Sequence, residues 1–270
     1  MHMKDMRTVK SMRYPQIDPV LIHVGPLQLR WYGLMYIFGF IMSYVVIMGV
    51  CRRRKLPMTK TDVEDLITYC ILGLVLGARI GYCIFYNPAY YFSNPFKIFA
   101  VWEGGMSFHG GMIGLLVTGA IFSISRKKPF LMLADLGALG ATPGLFFGRI
   151  GNFINAELYG RVTDVPWGMV FPNGGPLPRH PSQVYEALSE GALLFIILYF
   201  VSRKVNIHGI LFGVFLACYG IMRFVLEFFR EPDPQLGLIL GPFSMGQVLC
   251  MIMVAAGIAL IGWRLKSRRV

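Results

Sequence analysis

The sequence predicts an all-α polytopic membrane protein of about seven transmembrane helices with a small lobe on the outer, periplasmic face. Three observations carry this. Of 270 residues, 55% are hydrophobic and only 15% are charged, too apolar a balance for an ordinary soluble globule. Seven windows are each long enough to meet the requirement of roughly 20 mostly apolar residues for crossing a hydrocarbon core of about 30 Å. The basic residues, finally, fall in short clusters between those windows rather than on one face of a folded domain.

In order, the windows are Trp31–Val50, Leu66–Tyr86, Phe108–Ser125, Phe130–Phe147, Tyr185–Ser202, Ile207–Phe229 and Phe243–Trp263. Arg52, Arg53, Arg54 and Lys55 follow the first, Arg126, Lys127 and Lys128 the third, Arg203 and Lys204 the fifth, and Arg264, Lys266, Arg268 and Arg269 the seventh. Cytoplasmic loops are enriched in Lys and Arg, so this alternation places the N-terminus outside and the C-terminus in the cytoplasm. It also explains the formal net charge of +12 without a nucleic-acid partner. The N-terminal tail, with Lys4, Arg7, Lys10 and Arg13, points the other way and is outweighed by the four clusters. Met12 offers an alternative start, which would make residues 1–11 an upstream extension; the tail has no apolar stretch of the kind a removable signal peptide needs.

On this topology the outward segments are 1–30, 87–107, 148–184 and 230–242, and the inward ones are short turns. The expected division is an outer N-terminal segment 1–30, a transmembrane domain 31–263 with the outer lobe inserted at 148–184, and a basic cytoplasmic tail 264–270. Segment 148–184 is rich in Gly, Pro and Asn, and a connection of that length is usually functional. Two stripes of glycine at every fourth residue, Gly73, Gly77, Gly81 and Gly140, Gly144, Gly148, mark helix-packing faces. Cys51, Cys70, Cys83, Cys218 and Cys250 lie in or beside spans without a metal-ligand spacing, and are expected to be small packing residues. His2, His23, His180 and His208 form no metal motif either. No internal repeat is evident, which weakens a transporter built from inverted repeats.

Charge inside the spans carries the functional signal. An Arg at a helix centre costs about 2.5–3.5 kcal/mol on insertion scales, so such residues are functional candidates. Arg79 and Arg223 lie in the outer halves of their spans, and Arg149 and Arg230 cap outer ends, so four guanidinium groups share one depth on three helices. Glu227 stands on one helical face with Arg223 and Arg230, and part of this charge is expected to be an internal pair. Arg149 and Arg79 have no acid near them in sequence. The alternative is a phosphate cradle, since guanidinium donors match phosphate oxygens and an anionic phospholipid headgroup sits at that depth. His109, within Gly104-Gly-Met-Ser-Phe-His-Gly-Gly-Met-Ile-Gly114, is either a hydrogen-bonded helix-start residue or a proton carrier; Gly110 and Gly111 beside it would permit close approach of a ligand.

The run Gly148-Arg-Ile-Gly-Asn-Phe-Ile-Asn-Ala-Glu-Leu-Tyr-Gly-Arg161 resembles the signature of the prolipoprotein diacylglyceryl transferases. The same family is matched by Trp31-Tyr-Gly-Leu-Met-Tyr36, Gly77-Ala-Arg-Ile-Gly-Tyr82, Gly105-Met-Ser-Phe-His-Gly-Gly111, Pro178-Arg-His-Pro-Ser-Gln183 with Tyr185-Glu186, and Tyr219-Gly-Ile-Met-Arg-Phe-Val-Leu-Glu-Phe-Phe-Arg-Glu-Pro-Asp233. The likeness runs from Tyr14 to Trp263; the basic N-terminus and the short stretch between Phe171 and Leu177 depart from it. It implies transfer of the sn-1,2-diacylglyceryl group of phosphatidylglycerol to the thiol of the lipobox cysteine in a prolipoprotein signal peptide, in the bacterial inner membrane, with release of glycerol phosphate and no cofactor. Family residues carried onto matching positions are Tyr32, His109, Arg149, Asn152, Glu157, Gly160, Tyr219, Arg223 and Glu227.

That chemistry needs a thiolate, and a free thiol has a pKa near about 8.5. It also needs fixed positive donors for the leaving phosphate. Arg149 and Arg223 suit the second need, with Arg79 and Arg230 in support; His109 is the leading base, and an arginine lowering the thiol pKa is the alternative. Asn152, Tyr32 and Tyr219 are expected to orient headgroup hydroxyls, and Glu157 to pair with an arginine or hold the lobe. A lipid or anion transporter using the same arginines is the competing function; the clustering of charge in the outer half argues against it.

Overall fold

The computed structural model of the chain describes residues 12–25, 27–231, 238–240 and 243–267. The expected extension at 1–11 and the basic residues Arg268 and Arg269 lie outside the described residues. Among the described residues five helices are long and apolar enough to cross a membrane: α1 (Trp31–Arg54), α2 (Lys60–Phe85), α5 (Phe130–Ile154), the continuous rod Ser182–Lys204, and α9 (Met245–Lys266). Two shorter apolar helices, α4 (Phe108–Ser125) and α8 (Ile210–Leu226), bring the apolar helices to the seven expected. The rod is made of α6 (Ser182–Glu186), a π-helical stretch Ala187–Leu193 and α7 (Leu194–Lys204). A six-residue α3 (Pro88–Ser93) lies between α2 and α4. All five cysteines are free.

The chain divides into two compact units, 47–136 and 1–46 with 137–270. In the first, α2 and α4 pack through glycine. A Cβ on Gly114 would stand 1.9 Å from Gly73 O, and one on Gly110 would stand 2.3 Å from Gly77 O, so the backbones touch with no room for a methyl group. The stripe Gly73, Gly77, Gly81 is thus a packing face. Gly110, read as leaving room for a ligand, is spent on this contact. α2 opens with a capping box in which Thr59 Oγ1 accepts from the Asp62 N–H and Asp62 accepts from the Thr59 N–H. The basic turn after α4 closes on the same end: Lys128 Nζ is 3.3 Å from Asp62, and Arg126 is paired with Asp65. Leu66, Phe122, Met132 and Leu133 form the buried core there.

In the second unit α1 meets α5 at Gly39, where an added Cβ would lie 3.2 Å from Gly144 Cα, and Ser43 Oγ donates to Gly140 O. Among the described residues nothing stands within 4 Å of a Cβ built on Gly148, so only part of the second glycine stripe is a contact there. Gly191, in the π-helical stretch, lies against Phe146, 2.7 Å from its Cα to an added Cβ. α5 runs past its expected end at Phe147 to Ile154, and Arg149 sits inside the helix rather than capping it. The helix stops in a Schellman-type turn, with Ala156 N–H on Phe153 O, Glu157 N–H on Asn152 O, and Ala156 at φ +53°. Tyr14 Oη, outside the spans, donates to the orphan carbonyls of Phe153 and Ile154 at 2.6 and 2.9 Å.

The lobe is therefore 155–181, shorter than the expected 148–184. Strand β1 (Met12–Arg13) pairs in parallel with β4 (Met169–Val170), with Met12 opposite Met169. Tyr14, Ala156 and Phe171 make its core with Phe153, Tyr159 and Met169. A hairpin of β2 (Val20–Val24) and β3 (Leu27–Arg30) precedes α1, and β5 (Leu238–Leu240) pairs with β6 (Phe243–Ser244) before α9.

Candidate active site

Burial decides where to look. Glu186 and Glu190 are 1% and 0% exposed, in the first half of an apolar rod, and the second unit turns its arginines on them. Arg149 Nε from α5 is 2.6 Å from Glu186 Oε2. Arg223 Nη1 from α8 is 3.3 Å from Glu186 Oε1 and 3.9 Å from Glu190 Oε1. Arg223 Nη2 is 2.9 Å from Glu227 Oε2, and Arg230 Nη1 is 4.0 Å from Glu186 Oε1. Three guanidinium groups thus face three carboxylates, and Glu186 is shared by all three.

The expected internal pair of Arg223 with Glu227 is present. Arg149 does have an acid, Glu186, from a different helix and 37 positions away by subtraction of the residue numbers. Sequence reasoning passed over Glu186 and Glu190 as charges. The signal was available: two acids four apart inside the window Tyr185–Ser202 carry the same insertion penalty that singled out the arginines.

Neither oxygen of Glu190 has a hydrogen-bond partner among the described residues, and Arg223 Nη1 has none either. A buried pair left with unfilled hydrogen bonds is electrostatically under-satisfied. Arg230, just beyond α8, is crowded in the opposite sense: burial and then Arg223 push its guanidinium below its usual value. An arginine does not lose its proton in a protein, so Arg230 stays a buried cation beside Arg223.

Around this cluster the other expected residues separate into roles. Asn152 Nδ2 donates to Glu157 Oε1 at 2.8 Å, and Asn155 Nδ2 does so at 3.2 Å. The Glu157 carbonyl accepts from Gln183 Nε2 at 2.6 Å, and Ser182 Oγ donates to Leu158 O, so the turn after α5 is tied to the start of the rod. Glu157 holds the lobe rather than an arginine. Gly160 is a steric requirement: its N–H donates to His180 O at 2.8 Å, and a Cβ would lie 2.3 Å from Phe229 O. Its expected contact with substrate gives way to this packing role.

Tyr32 lies over Gly151, 2.9 Å from an added Cβ, and its hydroxyl is 3.1 Å from that of Tyr36. Tyr219 stacks on Phe215 one turn before Arg223, with ring centroids 5.5 Å apart. Glu227 also accepts from Ser244 Oγ at 3.2 Å, which links Arg223 to the start of α9. Arg161 and Arg179, unremarked in the sequence, fasten the lobe. Arg161 Nε donates to Arg230 O at 2.6 Å, and Arg179 pairs with Glu231 and lies 5.1 Å over the Tyr159 ring.

Arg79 and His109 belong to the other unit. Arg79 is 3% exposed and donates to four carbonyls, Ile98 at 2.8 Å, Lys97 at 2.6 Å, Gly105 at 3.2 Å and Gly104. Its donors are spent on a loop, and its expected share in a phosphate cradle is withdrawn on that ground. His109 is exposed in the first turn of α4, whose N-cap Ser107 accepts from the Gly110 N–H. Among the described residues no group of His, Cys, Asp and Glu is arranged to hold a metal ion.

The chain is similar to known proteins over most of its length. Residues 19–263 match the family described as "Prolipoprotein diacylglyceryl transferase". A protein of Geobacter sulfurreducens named phosphatidylglycerol–prolipoprotein diacylglyceryl transferase is 54% identical over 249 residues, 92% of this chain and 96% of the relative. Proteins of the same name from Pseudomonas aeruginosa and Coxiella burnetii are 51% and 50% identical, covering 93% and 94% of this chain and 94% and 98% of theirs.

Proposed function

Since the chain belongs to the prolipoprotein diacylglyceryl transferase family, we propose that its buried arginine–glutamate cluster is where the phosphate of phosphatidylglycerol is held while the diacylglyceryl group leaves. The protein is a multi-pass membrane transferase that moves the diacylglyceryl group of phosphatidylglycerol to a prolipoprotein. The observation that supports the site is the convergence of Arg149, Arg223 and Arg230 on one fully buried carboxylate, Glu186.

The acceptor is the lipobox cysteine of a signal peptide. Its sulfur attacks the glyceryl carbon that bears the phosphate; the C–S bond forms as the C–O bond breaks, and the bonding pair leaves on oxygen as glycerol phosphate. Charge therefore grows on the phosphate in the transition state. Guanidinium groups fixed in advance in a water-poor site stabilise that charge without reorganising. In the resting protein Glu186 and Glu190 occupy the place of the anion in the electrostatic balance. An incoming phosphate takes over donors of Arg149 and Nη1 of Arg223, with Arg230 in support, while Arg223 Nη2 stays anchored on Glu227. The thiol proton goes to His109, a reading that rests on its chemistry alone. Tyr32, Asn152 and Tyr219 are assigned to the headgroup hydroxyls. The step invokes no metal or cofactor.

We assign the chain to the bacterial inner membrane with its N-terminus outside and its C-terminus in the cytoplasm; the basic clusters that follow alternate spans support the orientation. The test is to mix the purified protein, phosphatidylglycerol and a lipobox peptide, and to follow the diacylglyceryl-peptide by mass spectrometry. A Cys→Ser peptide is expected to stay unmodified; equal modification of it would contradict the thiol step. For His109, an H109Q variant with an unchanged pH–rate profile would remove it as the base.

A further inference from the structure

Arg79, released from the phosphate site, has another use. Residues 86–106 join α2 to α4 through α3 and two turns of 3-10 helix, Pro95–Phe99 and Val101–Glu103. The segment presents a row of bare aromatics: Tyr86, Phe92, Phe96, Phe99 and Trp102 are 63%, 81%, 87%, 74% and 80% exposed. Its other side faces α2. Ala100 is buried, Tyr91 packs edge-on against Tyr82, and the Arg79 guanidinium stands 5.1 Å over the Tyr91 ring.

We propose that this segment lies in the headgroup–acyl boundary of the bilayer, aromatic face to the lipid, and that Arg79 pins it there. Two observations select lipid as the occupant. On α2 the exposed side chains Leu72, Leu76, Ile80 and Ile84 recur every fourth residue, the lipid-facing stripe of a spanning helix, and the stripe runs on without a break through Phe85 and Tyr86 into the aromatic row. Trp and Tyr at the end of a spanning helix are the side chains that settle at the headgroup level. The second observation is what Arg79 does with the backbone. Irregular chain at membrane depth is tolerated only when its polar groups find partners inside the protein. Here the carbonyls of residues 97, 98, 104 and 105 turn onto one guanidinium. The last two do so because Gly104 and Gly105 adopt φ +84° and +76°. A Cβ on Gly105 would stand 2.6 Å from Tyr82 and 2.9 Å from Arg79 Nη1, so the turn closes only with glycine. A lysine carries the charge but not a fixed fork of five donors, and cannot gather the same carbonyls.

Trp102 reports on this directly, because three other tryptophans, Trp31, Trp167 and Trp263, complete the protein's four and can be changed to Phe. In vesicles, Trp102 of that single-tryptophan protein is expected to be quenched strongly by lipid brominated at carbons 6 and 7, several-fold less by lipid brominated at carbons 11 and 12, and little by aqueous iodide. Dominant iodide quenching would put the segment in water, and stronger quenching by the deeper bromines would put it in the hydrocarbon. Protection from all three quenchers would mean that a protein covers it. Each of these overturns the proposal. In Arg79→Lys and Arg79→Gln, iodide quenching of Trp102 is expected to rise several-fold with helix content unchanged. An unchanged quenching pattern in both would overturn the pinning role, as would loss of fold in both, which would assign Arg79 to the α2–α4 fold itself. Phe92→Ser with Phe96→Ser keeps Arg79 and is expected to move Trp102 toward water; no movement would contradict an aromatic anchor.

Discussion

Glu186 is the residue on which the site turns, with 1% exposure and three guanidinium groups within 4.0 Å of its carboxylate. Removing one member of a buried ion cluster leaves the rest uncompensated, at about 3–5 kcal/mol. Glu186→Ala is accordingly expected to lower the unfolding temperature in detergent sharply, whereas Glu227→Gln, which lies at 17% side-chain exposure, should cost less. Equal melting of Glu186→Ala and the unmodified protein would show that the arginines find other partners. Sequence reasoning reached the arginines and Glu227 through the cost of membrane charge and the four-residue spacing. It missed Glu186 because a pair made between helices leaves no spacing to read. It placed Arg79 with the others because depth in the membrane is legible from a span, while the loop carbonyls that take up its donors are not. His180 gives a pH reading at the same scale. Burial lowers its pKa, so the folded lobe favours the neutral ring while the unfolded chain takes up a proton near about 6.5. Stability from this group is fully present above that pH and declines as pH falls below it. A lobe whose proteolytic resistance rose on acidification through pH about 6.5 would contradict the sign.

Among the elements, α5 shows best how side chains set an end that pattern alone cannot. Hydropathy ends the span at Phe147 because Gly148-Arg149 interrupts the apolar run, yet the helix continues to Ile154, where the turn at Ala156 and the Tyr14 hydroxyl close it. Tyr14→Phe removes that hydroxyl and should cost about 1 kcal/mol, read as a small drop in melting temperature. The glycine stripe of α2 was legible as a packing face, and its partner stripe, Gly110 and Gly114, was within a run already singled out for His109. Gly114→Ala forces a Cβ to within 1.9 Å of Gly73 O and is expected to destabilise by about 1–3 kcal/mol or more, with α2 and α4 driven apart. A Gly114→Ala protein that melted like its parent would show that this helix pair slides at little cost.

For the whole molecule, seven apolar helices and a small lobe were readable because a bilayer demands long apolar runs and leaves charges at their ends. The lobe's internal pairing was not: its bridges, such as Gly160 with Arg230, join distant segments through backbone bonds that no local pattern announces. The proposed topology rests on the basic clusters alone, and on it a phosphatase fused after residue 267 should be inactive in cells while one fused before Tyr14 should be active; the reverse would invert the assignment. The phosphate site stands on the arginines that share Glu186. Its most direct test is transfer of the diacylglyceryl group from phosphatidylglycerol to a lipobox peptide by Arg149→Ala and Arg223→Ala proteins that still elute and melt as folded species. Loss of one fixed donor to a developing oxyanion is worth about 10²–10³ in rate, so each variant should fall by at least that factor. Undiminished transfer by either folded variant would contradict the phosphate site.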